Sequence, residues 1–100
     1  SAVMENVTYE AYGPGGCALI IEGLTDNRNK AAQDVKHILS KNGYELAVPG
    51  SASWAFTKTN EGWVPQTMIP VSDEDGEKLQ TIIDELEEND EVQEVFTNAE

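Results

Sequence analysis

The run Cys17-Ala18-Leu19-Ile20-Ile21 decides the fold of this chain. Five apolar residues in succession predict a strand that is central in a sheet or buried on both faces. The turn signal Gly13-Pro14-Gly15-Gly16 precedes it. Before that turn, Val7-Thr8-Tyr9-Glu10-Ala11-Tyr12 alternates and is rich in β-branched and aromatic residues. We therefore expect the chain to open with two strands joined by a glycine-rich turn.

A helix of about 14 residues should follow the second strand, because Thr25-Asp26-Asn27 supplies the side chains that cap helix N-termini. Asn42-Gly43 supplies the stop, since glycine adopts the left-handed conformation of a helix C-terminus at little cost. The apolar residues between these signals form one helical face: Ala31, Ala32, Val35, Ile38 and Leu39.

The middle of the chain should form two further strands. Pro49-Gly50 is a turn, and the segment 51–57 then alternates, with Ala52, Trp54 and Phe56 on one face. The residues 59–62 resemble a hairpin connection to a strand over 63–71. That strand contains two prolines, at 65 and 70, which lack backbone donors, so we expect it to be an edge strand or to be broken.

A second helix should begin at Ser72, which can cap the N-terminus, with Asp75 at the capping-box position. Asn89-Asp90 should end it, and residues 92–97 should form a last strand with Val92 and Phe96 on one face. The apolar stripe of the helix has the expected spacing: Leu79, Ile82, Ile83 and Leu86.

From Cys17 the order of elements is β-α-β-β-α-β, which is typical of a ferredoxin-like sandwich. We expect an α+β fold with two helices on one face of an antiparallel sheet, plus an extra N-terminal strand. Residues 1–100 would be a single domain. Within it, 1–16 hold the extra strand and glycine-rich turn, 17–59 the first half, 60–62 a hairpin junction and 63–100 the second half.

The chain has 19 acidic and six basic residues among 100, a formal net charge of -13. Such a charge disfavours binding to nucleic acid or anionic membranes unless a local basic face exists. No membrane-spanning segment or signal peptide is visible. Cys17 is the one cysteine, so an intrachain disulfide is excluded and a reducing compartment is indicated. We expect a cytoplasmic protein.

The basic residues are concentrated on the first predicted helix. At helical spacing, Lys30, Asp34, His37 and Lys41 form a stripe opposite the apolar face. This stripe could meet phosphate groups or an acidic protein surface, or it could be an ordinary solvated face. The candidate nucleic-acid or ribosome contacts are Arg28, Lys30, Lys36, His37 and Lys41. The second helix is strongly acidic and should repel nucleic acid. It could dock a basic partner such as a ribosomal protein, or it could be a solvated face that keeps the domain soluble.

Other classes of site lack support in the sequence. Gly13, Pro14, Gly15 and Gly16 lead into a strand, whereas a phosphate-binding loop leads into a helix. We therefore interpret them as a turn with positive φ angles or as a backbone contact loop. His37 has no histidine or cysteine near it, so we expect no metal, and we expect no cofactor. Nothing suggests an enzyme, because no nucleophile has a base nearby in sequence.

Several segments resemble the YebC/PmpR family in the order in which that family has them. Its YEGYGPGG and TDNRN motifs are matched by Tyr9 to Gly16 and by Thr25 to Asn29. Its VRH, SKHG and IPQT motifs are matched in turn by Val35-Lys36-His37, by Ser40 to Gly43 and by Val64-Pro65-Gln66-Thr67. Finally, residues 90–98 resemble DDVQNVYHN.

The resemblance implies a piece of a gene-expression regulator. Family members carry a helical domain before YEGYGPGG and a middle domain before IPQT, and this chain has only 59–62 in the second place. The chain is therefore similar to the third domain of such a protein with the middle domain absent. Family members are described as DNA-binding transcriptional regulators and as translation factors that act with the ribosome, including a mitochondrial activator of cytochrome oxidase subunit one synthesis.

Two alternatives to nucleic-acid or ribosome binding remain open at this point. The chain could be a protein-interaction scaffold that self-associates into a homo-oligomer through the edge strand starting at Trp63. It could also be a small-ligand regulatory domain, although no pocket motif supports this.

Overall fold

The computed structural model describes residues 3–100. Residues 1 and 2, part of the segment expected to precede the first strand, lie outside the described residues. The elements are β1 (Glu5–Tyr12), β2 (Ala18–Thr25), α1 (Arg28–Lys41), β3 (Leu46–Ala47), β4 (Phe56–Thr59), β5 (Gly62–Pro65), α2 (Asp73–Glu88) and β6 (Val92–Thr97).

The main sheet has four antiparallel strands in the order β3-β1-β2-β6, and both helices pack on one face of it. The expected α+β class, with two helices on one face of an antiparallel sheet, is confirmed. The core on this face combines residues of β1, β2 and the two helices with Cys17, just before β2: Ala11, Cys17, Leu19, Ile21, Val35, Ile38, Leu39, Leu79, Ile82 and Leu86.

The other face of the sheet is covered by a short 3-10 turn at Ser53–Ala55 and by the β4–β5 hairpin. There Ala18 and Ile20 of β2 pack against Ala52, Ala55 and Phe56. Since neighbouring residues of a strand point to opposite faces, both faces of β2 are buried, as the apolar run predicts.

The strands of the main sheet are partly different from the expected set. β1 is an interior strand that pairs with β2 along its whole length, from Glu5–Thr25 to Tyr12–Ala18. The β4–β5 hairpin forms a separate two-stranded sheet. The sequence left the place of the N-terminal strand in the sheet open, and the structure makes it an interior strand. The hairpin, which a ferredoxin-like order would put in the same sheet, lies outside the main sheet. The short glycine-rich turn pairs β1 with β2 first, and the hairpin then covers that sheet.

The expected strand over 51–57 was wrong over residues 51–55, which form a turn and a short 3-10 helix. The chain curls at residues 50–53 because the buried carboxylate of Glu10 accepts hydrogen bonds from three backbone N–H groups there, those of Gly50 at 2.7 Å, Ala52 at 2.8 Å and Ser53 at 2.7 Å. As a result Ala52 is buried while Trp54 is 60% exposed, so these two side chains do not share a face.

The proline-containing segment after the hairpin is broken, as expected. β5 ends at Pro65, and Ile69 forms only an isolated bridge with Ala99. The two-residue strand β3 had no sequence signal.

Both helix starts and the stop of α1 are confirmed. Asn27 accepts a hydrogen bond from the Lys30 backbone N–H at 3.0 Å, and Ser72 accepts one from the Asp75 backbone N–H at 3.1 Å. Gly43 follows α1 with a φ of 88°. These signals were readable because a cap depends on residues within one turn of each other.

β6 departs from the expected single apolar face. A register shift lies opposite Glu22 and Gly23 of β2, where the pairing passes from Glu94 to Val92. The inserted residue places Val92 against the helix-side core and Phe96 against the hairpin side.

Candidate interaction surface on the first helix

The predicted basic stripe on α1 faces carboxylates of the same chain. The ammonium group of Lys30 lies 2.9 Å from a carboxylate oxygen of Asp34 and 3.0 Å from one of Glu91. The hydrogen bonds that Lys30 donates to Asp34 and then to Glu91 raise its pKa, so it stays charged while the two carboxylates compensate that charge. The N-terminal end of the stripe is therefore closer to neutral than its sequence suggests.

Glu91 is held in place from several sides. Its carboxylate accepts a hydrogen bond from the buried hydroxyl of Thr25, and its backbone carbonyl accepts one from the Leu24 N–H at 2.9 Å. Bonding to Thr25 and then to Lys30 lowers the pKa of Glu91. The carboxylate is thus a fixed partner of Lys30.

Asn89 completes this network. Its side-chain amide donates to Asp34 at 3.2 Å, and its side-chain oxygen accepts from the Glu91 backbone N–H at 2.9 Å. The structure in this way joins two segments that were singled out separately in the sequence, the α1 start and the turn before β6.

The C-terminal end of the stripe is compensated in the same way. The ammonium group of Lys41 lies 2.6 Å from Glu85 of α2, and Glu85 also accepts a hydrogen bond from the Asn42 side chain at 2.9 Å. Lys41 and then Asn42 lower the pKa of Glu85. At each end of α1, one carboxylate accepts hydrogen bonds from both a lysine and a neutral donor.

The other three predicted contact residues, Arg28, Lys36 and His37, are exposed and have weaker or no ion pairs within the described residues. Arg28 lies 3.9 Å from Glu5 and is 63% exposed. Lys36 and His37 are exposed, and within residues 3–100 neither forms an ion pair. The structure therefore divides the predicted set: Lys30 pairs with Asp34 and with Glu91 in the turn before β6, Lys41 pairs with Glu85 of α2, and Lys36 and His37 face solvent.

The glycine-rich loop lies beside α2 and is not part of the α1 surface. Pro14–Gly16 forms a 3-10 turn, with Gly13 and Pro14 buried. Gly15 has a φ of 74°, and a Cβ there would lie 2.9 Å from Val71, just before α2. The turn interpretation thus has a structural basis in both the backbone angle and the close packing.

Sequence reasoning missed two buried polar residues that fix the architecture. Glu10 holds the turn at 50–53, and burial, which disfavours its charge, is outweighed by the backbone hydrogen bonds that lower its pKa. Asn98 accepts from the Ala18 N–H at 2.7 Å and donates to the Thr67 carbonyl at 2.8 Å. Neither had a signal in the sequence, because Glu10 shares its strand face with the exposed Thr8 and Tyr12, and Asn98 follows the last residue of β6.

Residues 3–100 contain no cluster of three or more histidine, cysteine, aspartate or glutamate side chains arranged to bind a metal ion. Neither α1 nor α2 has the length and apolar character needed to cross a membrane.

A sequence model described as "TACO1/YebC second and third domain" matches the chain in two segments, residues 4–61 and 57–99. The two matches meet at residues 57–61, in the β4–β5 hairpin.

Curated relatives share this similarity. A probable transcriptional regulatory protein from Caldicellulosiruptor saccharolyticus is 31% identical over 157 residues, covering 96% of this chain and 65% of the relative. One from Chlorobaculum parvum is 42% identical over 90 residues, covering 90% of this chain and 36% of that relative. The chain therefore spans less than two thirds of their length. Because the first alignment is longer than this chain, a stretch of that relative has no counterpart here.

The fold has a close match among solved structures. The crystal structure of a conserved hypothetical protein from Aquifex aeolicus superposes with a TM-score of 0.90 at 22% identity, covering 100% of this chain and 66% of that one.

Proposed function

The chain belongs to the TACO1/YebC family, and from that premise we propose that it is a non-catalytic binding module of a cytoplasmic gene-expression regulator. In the whole protein, the solvent-facing flank of α1 contacts the phosphate backbone of DNA or of ribosomal RNA. The observation that carries this proposal is the exposed pair Lys36 and His37, which has no carboxylate partner within residues 3–100. The relatives' description as probable transcriptional regulatory proteins supports the same class.

Electrostatics limit what the chain does alone. A net charge of -13 opposes association with any polyanion. In addition, Lys30 and Lys41 already form ion pairs with Glu91 and Glu85. We expect weak, strongly salt-dependent binding by this chain, with most affinity supplied by the rest of the whole protein.

The test compares two double variants with equal changes in charge. Lys36→Glu with His37→Glu alters the proposed contact, and Lys78→Glu with Gln80→Glu makes the same change on α2. Binding to labelled duplex DNA and to purified ribosomal subunits is measured at two salt concentrations, both for this chain and within a full-length relative. We expect the α1 variant to lose most of the binding and the α2 variant to retain it. Equal losses would show a general charge effect and remove α1 from the proposal.

A second candidate function is a scaffold with no nucleic-acid binding of its own. It is favoured by the compensation of Lys30 by Glu91 and of Lys41 by Glu85, which uses these cations for α1 packing. Self-association would then use β5, which pairs only with β4 in the small sheet. Sedimentation over a range of concentrations tests this, and a strict monomer contradicts the self-association part.

A further inference from the structure

The edge of the main sheet farthest from α2 is short and open. β3 has two residues and pairs with β1 only through Ala47–Glu10 and Leu46–Ala11. β1 has β2 on one side over all its residues, but no strand on the other side from Glu5 to Tyr9. Backbone groups on such an edge are free to pair with another extended chain.

A groove runs along this edge. Two adjoining cavities, each of about 450 Å³, share Tyr44, Glu45 and Leu46 in their walls. One extends toward α1 at Lys36 and Ser40, and the other toward Tyr12, Gly43 and Ala47. The groove therefore lies beside β3 and the Tyr12 end of β1, and its half-buried apolar residues are Tyr44, Leu46 and Ala47. Such an arrangement can receive side chains of a strand added at β3.

Two aromatic side chains are held in fixed positions at the surface: Tyr12, which lines one end of the groove, and Trp54, which is bonded to Tyr12. The indole N–H of Trp54 donates to the hydroxyl of Tyr12 at 2.8 Å, and this hydroxyl donates to the backbone carbonyl of Ser51. Trp54 remains 60% exposed and Tyr12 37% exposed. Rings fixed before binding lose little conformational freedom when a partner covers them, so they suit a contact surface.

The charge of the groove selects its occupant. Its walls carry one lysine, Lys36, and one glutamate, Glu45, while the acidic helix α2 contacts β6 at the opposite edge of the sheet. A second copy of the chain would bring another charge of -13, and a nucleic acid would bring its phosphates. An extended protein segment of low charge has neither cost.

We propose that this edge binds an extended, low-charge segment of a partner protein. The segment adds as a strand beside β3 and places apolar side chains against Tyr12, Tyr44 and Leu46. The site adjoins the phosphate contact of α1 at Lys36 but differs from it in chemistry, because its occupant is held by backbone hydrogen bonds and apolar contacts.

The probe is the neutral peptide acetyl-Ser-Val-Thr-Val-Thr-Val-Ser-amide, titrated into the isotope-labelled chain and followed by amide NMR. The control peptide has proline in place of the central valine, so it has the same charge but lacks a ladder donor. We expect saturable shifts and slowed hydrogen exchange at Leu46 and Ala47 with the first peptide only. Equal binding of both peptides, shifts confined to α2, or no saturation at millimolar peptide would overturn the proposal.

Substitutions locate the site. We expect Tyr12→Ala and Trp54→Ala each to weaken peptide binding by about tenfold, as truncation of an aromatic contact residue does. Val64→Ala, at a residue that is 44% exposed on the hairpin, is the matched control and should have no effect. Circular dichroism checks that each variant is folded. If sedimentation shows a dimer that the peptide dissociates, the occupant is a second copy and the proposal is wrong. Because the probe is uncharged, its failure leaves the salt-dependent contact of α1 standing.

Discussion

Two turns on the hairpin side of the sheet are held in different ways. The turn at residues 50–53 closes around the carboxylate of Glu10, which is distant in sequence and 8% exposed. The turn at residues 59–62 is held locally: the hydroxyl of Thr59 donates to the Gly62 carbonyl at 2.9 Å and accepts from the Glu61 N–H at 3.1 Å. The first turn is a product of tertiary structure, and the second can form from its own residues.

This difference predicts that the fold depends on the turn at residues 50–53 and tolerates changes in the turn at residues 59–62. Residues 50–53 bring Ala52 and Ala55 onto the sheet, so a change there disturbs the core. Residues 59–62 lie at the tip of the hairpin, where the two family matches meet. The tip is therefore the position at which chain can be added with least cost to the packed core.

The largest expected difference between the two turns appears when each is lengthened by the same insert. An insert of about ten glycine and serine residues after Asn60 should cost about 1–2 kcal/mol, since loop-closure entropy grows slowly with length. The same insert after Gly50 should abolish cooperative folding because it separates the donors that Glu10 bonds. Urea denaturation of both variants measures the contrast. Equal losses would contradict the distinction between the two turns.

Glu10→Gln should have the next largest effect. The amide retains one acceptor but turns an NH2 group toward backbone donors, which leaves a buried N–H without a partner. We expect a loss of about 2–3 kcal/mol in the free energy of unfolding. Glu61→Gln, at an exposed position of the other turn, is the control and should change little. A loss below about 0.5 kcal/mol for Glu10→Gln would mean that the carboxylate does not hold the turn.

The difference between the parent chain and Glu10→Gln should depend on pH. The pKa of Glu10 is lowered from 4.5 in the folded chain because the backbone hydrogen bonds from Gly50, Ala52 and Ser53 outweigh the effect of burial. Its stabilisation is therefore complete above pH 4.5 and is lost as the pH falls through the lowered pKa. Unfolding measured from neutral to acidic pH should show the two curves converging. A constant gap would indicate a steric rather than an ionic cause.

Thr59→Ala should have the smallest effect. It removes two hydrogen bonds at an exposed turn, where water can replace them, so we expect a loss of about 0.5–1 kcal/mol. Thr57→Ala on the same strand is the control for the change in β-propensity. Thermal unfolding distinguishes them, and an effect as large as that of Glu10→Gln would show that this turn is also part of the core.

Local signals in the sequence were reliable for the helices. Asn27, Ser72 and Gly43 bound or stop α1 and α2 as expected, because capping involves residues a few positions apart. The prediction of a strand over 51–57 failed because the conformation of that segment depends on Glu10, about forty positions away. An alternation pattern within the segment carries no information about such a distant contact.

The sequence predicted which residues form the candidate surface, but it did not predict that carboxylates of the same chain neutralise part of it. The sequence indicates which cations lie on α1, since helical spacing fixes their order around the axis. It does not indicate that Glu91, in the turn before β6, pairs with Lys30, or that Glu85 of α2 pairs with Lys41. This compensation left Lys36 and His37 as the outward pair on which the proposed contact rests.

By itself, the sequence determined the α+β class, the two helices with their caps, the doubly buried strand around Ile20 and the hairpin at 59–62. Each of these follows from periodicity or from bonds within a short stretch of chain. Only the tertiary structure decided that β1 is interior, that the hairpin forms its own sheet and that α1 is partly neutralised. These features depend on contacts between residues far apart in sequence, and their energies are set by geometry that exists only in the folded chain.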